Sequence, residues 1–455
     1  MRASAVYHCQ LAWLGGDEPA GDVRIDVDLD RGVITAIRAG AALPPGATRL
    51  QGVTLPGLAN VHSHVFHRAL RGRTQRGPGS FWTWREDMYR LAALLDPDTY
   101  HRLARAAFAE MVLAGITTVG EFHYLHHRPD GGRYANHNAM GEALIAAAGE
   151  AGLRLTLLDA CYLGSGLAPD GSLRPPDPAQ RAFSDVTAHT WAERVAGLSG
   201  GPRVRIGAAV HSVRTVDARS LPVVAGLAGE RSFPLHAHVS EQPAENEQCD
   251  QAHGMTPVAL LSSCGALSRS FTAIHATHAS EADLVTLATA GAGVCLCPTT
   301  ERDLADGIGP TAGLRRHGIE MSVGSDSQAV VDLFEELRAA ELDERLATGT
   351  RGNHRVAELL AAATANGHRQ LGWPEAGRIE LGAPADLVTV DLSTVRTAGS
   401  CPRHALATVV YAATAADVTG VIVAGEVVVL DGRHRSIDAA GELDAAIAGL
   451  WRGTP

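Results

Sequence analysis

From about Leu55 the chain alternates short apolar, β-branched runs with amphipathic helical stretches, and it does so eight times over. TYHRLARAAFAEMVLAGI has helical spacing, and the TTVGEFHY that follows reads as a strand. Strands separated by helices pair in parallel. The candidate strands are Leu55–Ser63, Thr117–His123, Arg154–Ala160, Arg205–His211, Pro234–Val239, Phe271–His275, Gly293–Cys297 and Glu320–Gly324. Eight such units suit a (β/α)8 TIM barrel with insertions, expected over residues 55–374.

The two ends read differently. GDVRIDVDLDRGVITAIRAG alternates apolar and polar positions around a turn at Asp30–Gly32, and strand and turn language returns in GAPADLVTVDL and VTGVIVAGEVVVLDGRH. Residues 1–54 and 375–455 are expected to pair into one small β-sandwich domain interrupted by the barrel. GLAPDGSLRPPDPAQ reads as a long surface loop, and His126 and His127 read as surface loop residues.

A formal net charge of −11 argues against general affinity for nucleic acid or anionic membrane, so an anionic ligand needs a locally positive pocket. The N-terminus lacks the pattern of a secretion signal and no run of about 18 apolar residues occurs, which makes a cytoplasmic location the default expectation. The seven cysteines are scattered, without a CxxC pair, and read as reduced, mostly buried thiols. All 39 basic residues other than histidine are arginine. Without lysine, neither Schiff-base chemistry nor a carbamylated-lysine metal bridge is open to this chain.

In LPGLANVHSH, His62 and His64 follow the first barrel strand two residues apart, so both imidazoles face one side. Histidine pairs also arise by chance in a chain with 21 histidines. His238 at the end of the fifth strand, His275 at the end of the sixth and Asp326 at the end of the eighth shift the balance. All fall where a TIM barrel places its active site. Imidazoles and a carboxylate are the usual ligands of Zn2+ or Fe2+, and a coordination position left to water lowers that water's pKa towards neutrality. Glu241, three residues after His238, reads as a proton carrier beside that water, or more plainly as a solvated loop carboxylate. His275 reads either as a ligand or, preferably, as a donor to the reacting water. Cys297, Thr299, Thr300 and Glu301 read as shaping the seventh loop.

The set HxH, HxxE, H and SD resembles the amidohydrolase superfamily, in particular its deaminase-type members with one metal. The resemblance implies one divalent ion, Zn2+ with Fe2+ as the alternative, held by His62, His64, His238 and Asp326. The segments SFWTWRE, EFHYLHH, AVHSVR, HVSEQ, LCPTTERDLADG and GSDSQ are similar to the formimidoylglutamate deiminase family. That similarity implies hydrolysis of N-formimino-L-glutamate to N-formyl-L-glutamate and ammonia in histidine degradation. It implies Glu241, His275 and Asp326 as catalytic groups and a homodimer as the assembly.

The same similarity carries Arg85, Tyr124, His211 and Arg214 over as contacts to the two substrate carboxylates, which guanidinium forks suit independently. Plainer readings stand beside these. Arg85 could stack on Trp82, Trp84 and Tyr89, Tyr124 could be a packed residue, and His211 and Arg214 could form a structural network. His67 stands where the family pattern has glutamine and is expected to keep that contact or to alter the substrate. The rival readings are another aminohydrolase of this fold, acting on a nucleobase, nucleoside or triazine, and a catalytically silent scaffold protein.

Overall fold

Burial separates the strands into two kinds. In the computed structural model, which describes residues 4–75 and 77–452, the strands of the central part are buried at nearly every position, whereas those at the ends alternate. A strand covered on both faces belongs to a parallel sheet under helices; an alternating one has a wet side. The chain opens with β1 (Ser4–Ala12), β2 (Ala20–Asp28), β3 (Val33–Arg38) and β4 (Thr48–Pro56). It then forms β5 (Leu58–Ser63), β6 (Ile116–His123) and β7 (Arg154–Cys161), and a short hairpin of β8 (Gly166–Leu167) and β9 (Leu173–Arg174). β10 (Val204–Val210), β11 (Leu235–Val239), β12 (Phe271–His275), β13 (Gly293–Leu296) and β14 (Met321–Val323) follow. β15 (Leu387–Val390), β16 (Val418–Val423), β17 (Glu426–Leu430) and β18 (Arg433–His434) return to the first sheet.

The eight central strands lie in the order β14-β13-β12-β11-β10-β7-β6-β5, all parallel. The ring closes where β5 meets the end of β14: Asp326 N donates to His62 O (3.0 Å), and His64 N donates to Asp326 O (3.1 Å). This is the (β/α)8 barrel. Gly324 allows the closure, because a Cβ there would stand 2.7 Å from the His62 carbonyl oxygen.

The terminal segments build a separate, mostly antiparallel sheet in the order β18-β17-β16-β15-β4-β1-β2-β3. It folds over, since β3 reaches residues 382–385 through Ile34 N to Ala383 O and Gly382 N to Ile34 O, both 2.9 Å. Tyr7, Val23, Ile25, Ile34, Leu387 and Ile422 fill its own core. A buried ion pair ties the two sheets: Arg154 Nε to Asp386 Oδ2, 2.8 Å.

Two expectations need correction. The first barrel strand begins at Leu58, because Leu55 and Pro56 still pair with Val388 and Leu387 in the terminal sheet. His126 and His127 are buried, not on a surface loop. Their backbone N–H groups both donate to Ala182 O (3.0 and 2.8 Å), which tucks the segment under the turn at residues 178–183. There His126 Nε2 donates to Ala160 O (2.9 Å) and His127 Nε2 lies 2.9 Å from Asp185 Oδ1. Beside them Arg194 bridges Asp159 and Asp185 (2.7 and 2.8 Å). A buried guanidinium needs such carboxylates, and His127 adds a further partner to Asp185.

Candidate metal centre

The carboxyl ends of β5, β11, β12 and β14 deliver His62, His64, His238, His275 and Asp326 to one point at the barrel mouth. His62 Nε2 lies 3.1 Å from His238 Nε2 and 3.3 Å from Asp326 Oδ1; His64 Nε2 lies 3.3 Å from His238 Nε2 and 3.5 Å from Asp326 Oδ1. Ligand atoms about 2.05 Å from a tetrahedral ion stand about 3.3 Å from one another. Four of the six donor pairs therefore have the spacing of a single coordination shell.

The tautomers point the same way. His64 Nδ1 is 2.9 Å from Phe122 O and His238 Nδ1 is 2.8 Å from His211 O. A carbonyl only accepts, so both Nδ1 atoms carry the hydrogen and both Nε2 atoms turn lone pairs towards each other. Burial holds the pKa of both rings well below the ordinary histidine value, so they stay neutral. Facing lone pairs at this distance are accommodated by a shared cation, and the residues fit one divalent metal. His275 (φ 69°) and Asp326 (φ 40°) adopt the left-handed region, at a cost of order 1–3 kcal/mol each. Such strain at strand ends is characteristic of a site the surrounding fold holds in place.

His275 stands beside this cluster, with a ring nitrogen within 4.8 Å of ligand atoms of His62 and His238. Its Nε2 is 3.9 Å from Glu241 Oε1 and 3.7 Å from Asp326 Oδ2, and its Nδ1 is 3.2 Å from Glu301 Oε1. Burial pulls the ring's pKa down, but the Glu301 hydrogen bond and the charges of Glu241 and Asp326 outweigh it and raise it to about 10. Burial would raise the Asp326 carboxyl; the His62 imidazole 3.3 Å away and the neighbouring imidazoles hold it below the usual range.

The cavity above the cluster is walled by Trp84, Tyr89, Tyr162 and Phe183 and lined by Arg85, Arg174 and Arg214. The Arg85 guanidinium lies over the rings of Trp82 (4.6 Å) and Tyr89 (5.6 Å). Arg214 Nη2 donates to Glu241 Oε2 (3.2 Å). Its pKa, which burial alone would lower, is raised by Glu245 and Glu241. His67 Nε2 pairs with the Tyr124 hydroxyl (2.9 Å), and burial pushes the His67 pKa down to about 3. His211 lies against Tyr162 (ring centroids 4.5 Å) and Tyr124 (5.5 Å). All five expected contact residues thus reach the cavity, though Arg85 and Arg214 arrive with partners.

Several residues here were given another role by the sequence, or none. Glu301, read as shaping its loop, touches His275 directly. Glu245 stands behind Arg214, with Oε2 3.9 Å from Nε. Glu121 accepts from Ser63 Oγ (2.6 Å) and Val65 N (2.7 Å), fixing the turn after His64; burial raises its pKa to about 8. Arg174 reaches the cavity from the segment read as a long surface loop, most of which is exposed and within which β8 and β9 pair as a short hairpin. The one usable signal was adjacency: strands six and seven are neighbours in a barrel, so an acidic residue after one can meet a histidine ending the other.

A parallel barrel with an imidazole–carboxylate cluster at the carboxyl ends of its strands defines a metal-dependent hydrolase. The chain belongs to the amidohydrolase family, whose model matches residues 53–428. It is 35% identical over 428 residues to the formimidoylglutamate deiminase of Pseudomonas aeruginosa, covering 91% of this chain and 92% of that one. A 5-methylthioadenosine/S-adenosylhomocysteine deaminase of Natronomonas pharaonis is 29% identical over 391 residues, 85% of this chain and 84% of the other. An amidohydrolase structure from Brucella melitensis superposes with a TM-score of 0.90 at 34% identity, covering 98% and 99% of the two chains. The protein is accordingly an enzyme that hydrolyses C–N bonds. Among the described residues no helix is long and apolar enough to cross a membrane.

Proposed function

We propose that this enzyme hydrolyses N-formimino-L-glutamate to N-formyl-L-glutamate and ammonia, as a step of histidine degradation. The observation that carries this reading is the coexistence, in one cavity, of His64, His238 and Asp326 of the donor cluster with Glu241 and the arginines Arg85, Arg174 and Arg214. A neutral heterocycle has no use for several guanidinium groups, whereas a dicarboxylate in a protein of net charge −11 depends on them. The similarity to the Pseudomonas enzyme supports the same substrate.

His62, His64, His238 and Asp326 hold one divalent cation, with Zn2+ favoured by three imidazoles and one carboxylate. When bound, the ion supplies Lewis acidity that makes water nucleophilic near neutral pH. Arg85, Arg214, Tyr124, His211 and His67 hold the glutamate carboxylates and present the formimino carbon to the cluster. Glu241 takes a proton from the attacking water and delivers it to the imino nitrogen; the remaining hydroxyl proton follows to the same nitrogen, by way of Asp326 and Glu241, as the formyl carbonyl forms, so that the C–N bond breaks with neutral ammonia as leaving group. His275, charged through Glu301, donates from Nε2 to the oxygen as negative charge develops there. Asp326 helps take up protons.

The test is an ammonia-release assay with N-formimino-L-glutamate beside N-formimino-L-aspartate, guanine and adenosine. The glutamate derivative is expected to give the highest kcat/KM. Preferred turnover of guanine or adenosine would move the enzyme to the nucleobase or nucleoside class, and no turnover together with no bound metal would mark a silent scaffold.

A further inference from the structure

Arg214 does not meet the cavity as a free cation. Its Nη2 donates to Glu241 Oε2 (3.2 Å), while the other oxygen of Glu241 lies 3.9 Å from His275 Nε2 on the side of the donor cluster. One carboxylate is therefore held by the group expected to bind substrate and also faces the group expected to assist the chemistry. Both residues are nearly buried, at 8% and 5% exposure, so the pair is poorly screened by solvent. Behind it, Glu245 Oε2 accepts from Glu241 N (3.3 Å) and lies 3.9 Å from Arg214 Nε.

A carboxylate locked in a buried ion pair is held in place, with one oxygen already engaged by the guanidinium. An anion entering the cavity competes for the same guanidinium, and Glu245 keeps that guanidinium from being drawn away with it. We propose that the Arg214–Glu241 pair makes turnover conditional on a carboxylate in the substrate: the substrate's carboxylate takes over Arg214, and Glu241 is released to carry the proton. The discrimination falls on kcat, because a ligand without the carboxylate can bind and still find Glu241 engaged. This rests on the dicarboxylate formimino substrate assigned above.

The experiment divides that substrate into two pieces, formamidine for the reacting half and glutarate for the dicarboxylate half. Formamidine plus water gives formamide plus ammonia, so the same ammonia assay reads both. In the wild-type holoenzyme, saturating glutarate is expected to raise kcat for formamidine about tenfold or more. Arg214→Met is expected to turn over formamidine about tenfold faster than wild type without glutarate, and to gain nothing from it. Its bound metal and melting temperature are measured alongside. Glutarate that leaves kcat unchanged or only inhibits, or an Arg214→Met enzyme as slow as wild type on formamidine, overturns the proposal. The glutarate arm needs no variant, so a misfolded Arg214→Met does not shield it. If N-formimino-L-glutamate is hydrolysed but glutarate does not activate, the latch fails and the substrate assignment stands. If glutarate activates but N-formimino-L-glutamate is not hydrolysed, the assignment fails and the latch stands.

Discussion

Glu301 and His275 form a buried pair, Oε1 to Nδ1 at 3.2 Å, and the same Glu301 oxygen also accepts the Cys297 N–H at 2.9 Å. The carboxylate is thereby fixed from the first turn after β13 and fixes the imidazole in turn. His275 keeps its proton up to about pH 10, so its donor form is present at neutral pH and is lost as pH rises through that value. In Glu301→Gln the largest influence holding the proton is gone, and it leaves at lower pH. The alkaline limb of kcat/KM is expected to move towards neutrality, with kcat about tenfold lower or more. A pH–rate profile superimposable on wild type would remove Glu301 from this role.

Four donors within one shell imply one ion per chain. Elemental analysis of the purified enzyme should find that stoichiometry, and His238→Ala should lose the metal. Chelation should lower the melting temperature, since an ion present at about 1,000 times its Kd contributes about 4 kcal/mol. Two ions per chain would contradict the assigned ligand set.

Glu241 touches Arg214 and approaches His275, but it stands outside the shell formed by the four donors. Glu241→Gln is accordingly expected to retain wild-type metal content while losing about 100- to 10,000-fold in kcat. Metal loss comparable to that of His238→Ala would instead make Glu241 a ligand.

Arg194 is buried with Asp159 and Asp185, both oxygens of each carboxylate accepting from it. Removing the guanidinium strands two buried carboxylates, so Arg194→Met should destabilise the fold by about 3–5 kcal/mol. Denaturant unfolding measures this. A loss under about 1 kcal/mol would mean that the cluster is solvated and the pair weak.

Strand positions were the most legible feature. β12 coincides with the run Phe271–His275, and the other barrel strands depart from expectation mainly at their ends. The exception has a clear cause. VTLPGLANV is one apolar run, yet Val53 to Pro56 pair with β15 and Leu58 onward with β6. Apolar periodicity reports that a segment is buried, not which sheet buries it. EFHYLHH misled for a related reason: histidine is at home on a surface, and only the nearby Arg194 and the turn at residues 178–183 give these rings a place inside.

By itself the sequence determined the barrel and which side chains could meet at its mouth, because strand period and strand-end position are local properties that survive without tertiary detail. The absence of lysine settled, equally locally, that no such residue bridges two ions. Only the tertiary structure decided how those side chains are engaged. That Glu301 charges His275, that Glu245 stands behind Arg214, and that Arg214 holds Glu241 all depend on groups from different strand–helix units approaching within about 4 Å, where electrostatic interaction in a buried site is strong. Such distances are set by the closure of the ring, which no single stretch of chain encodes.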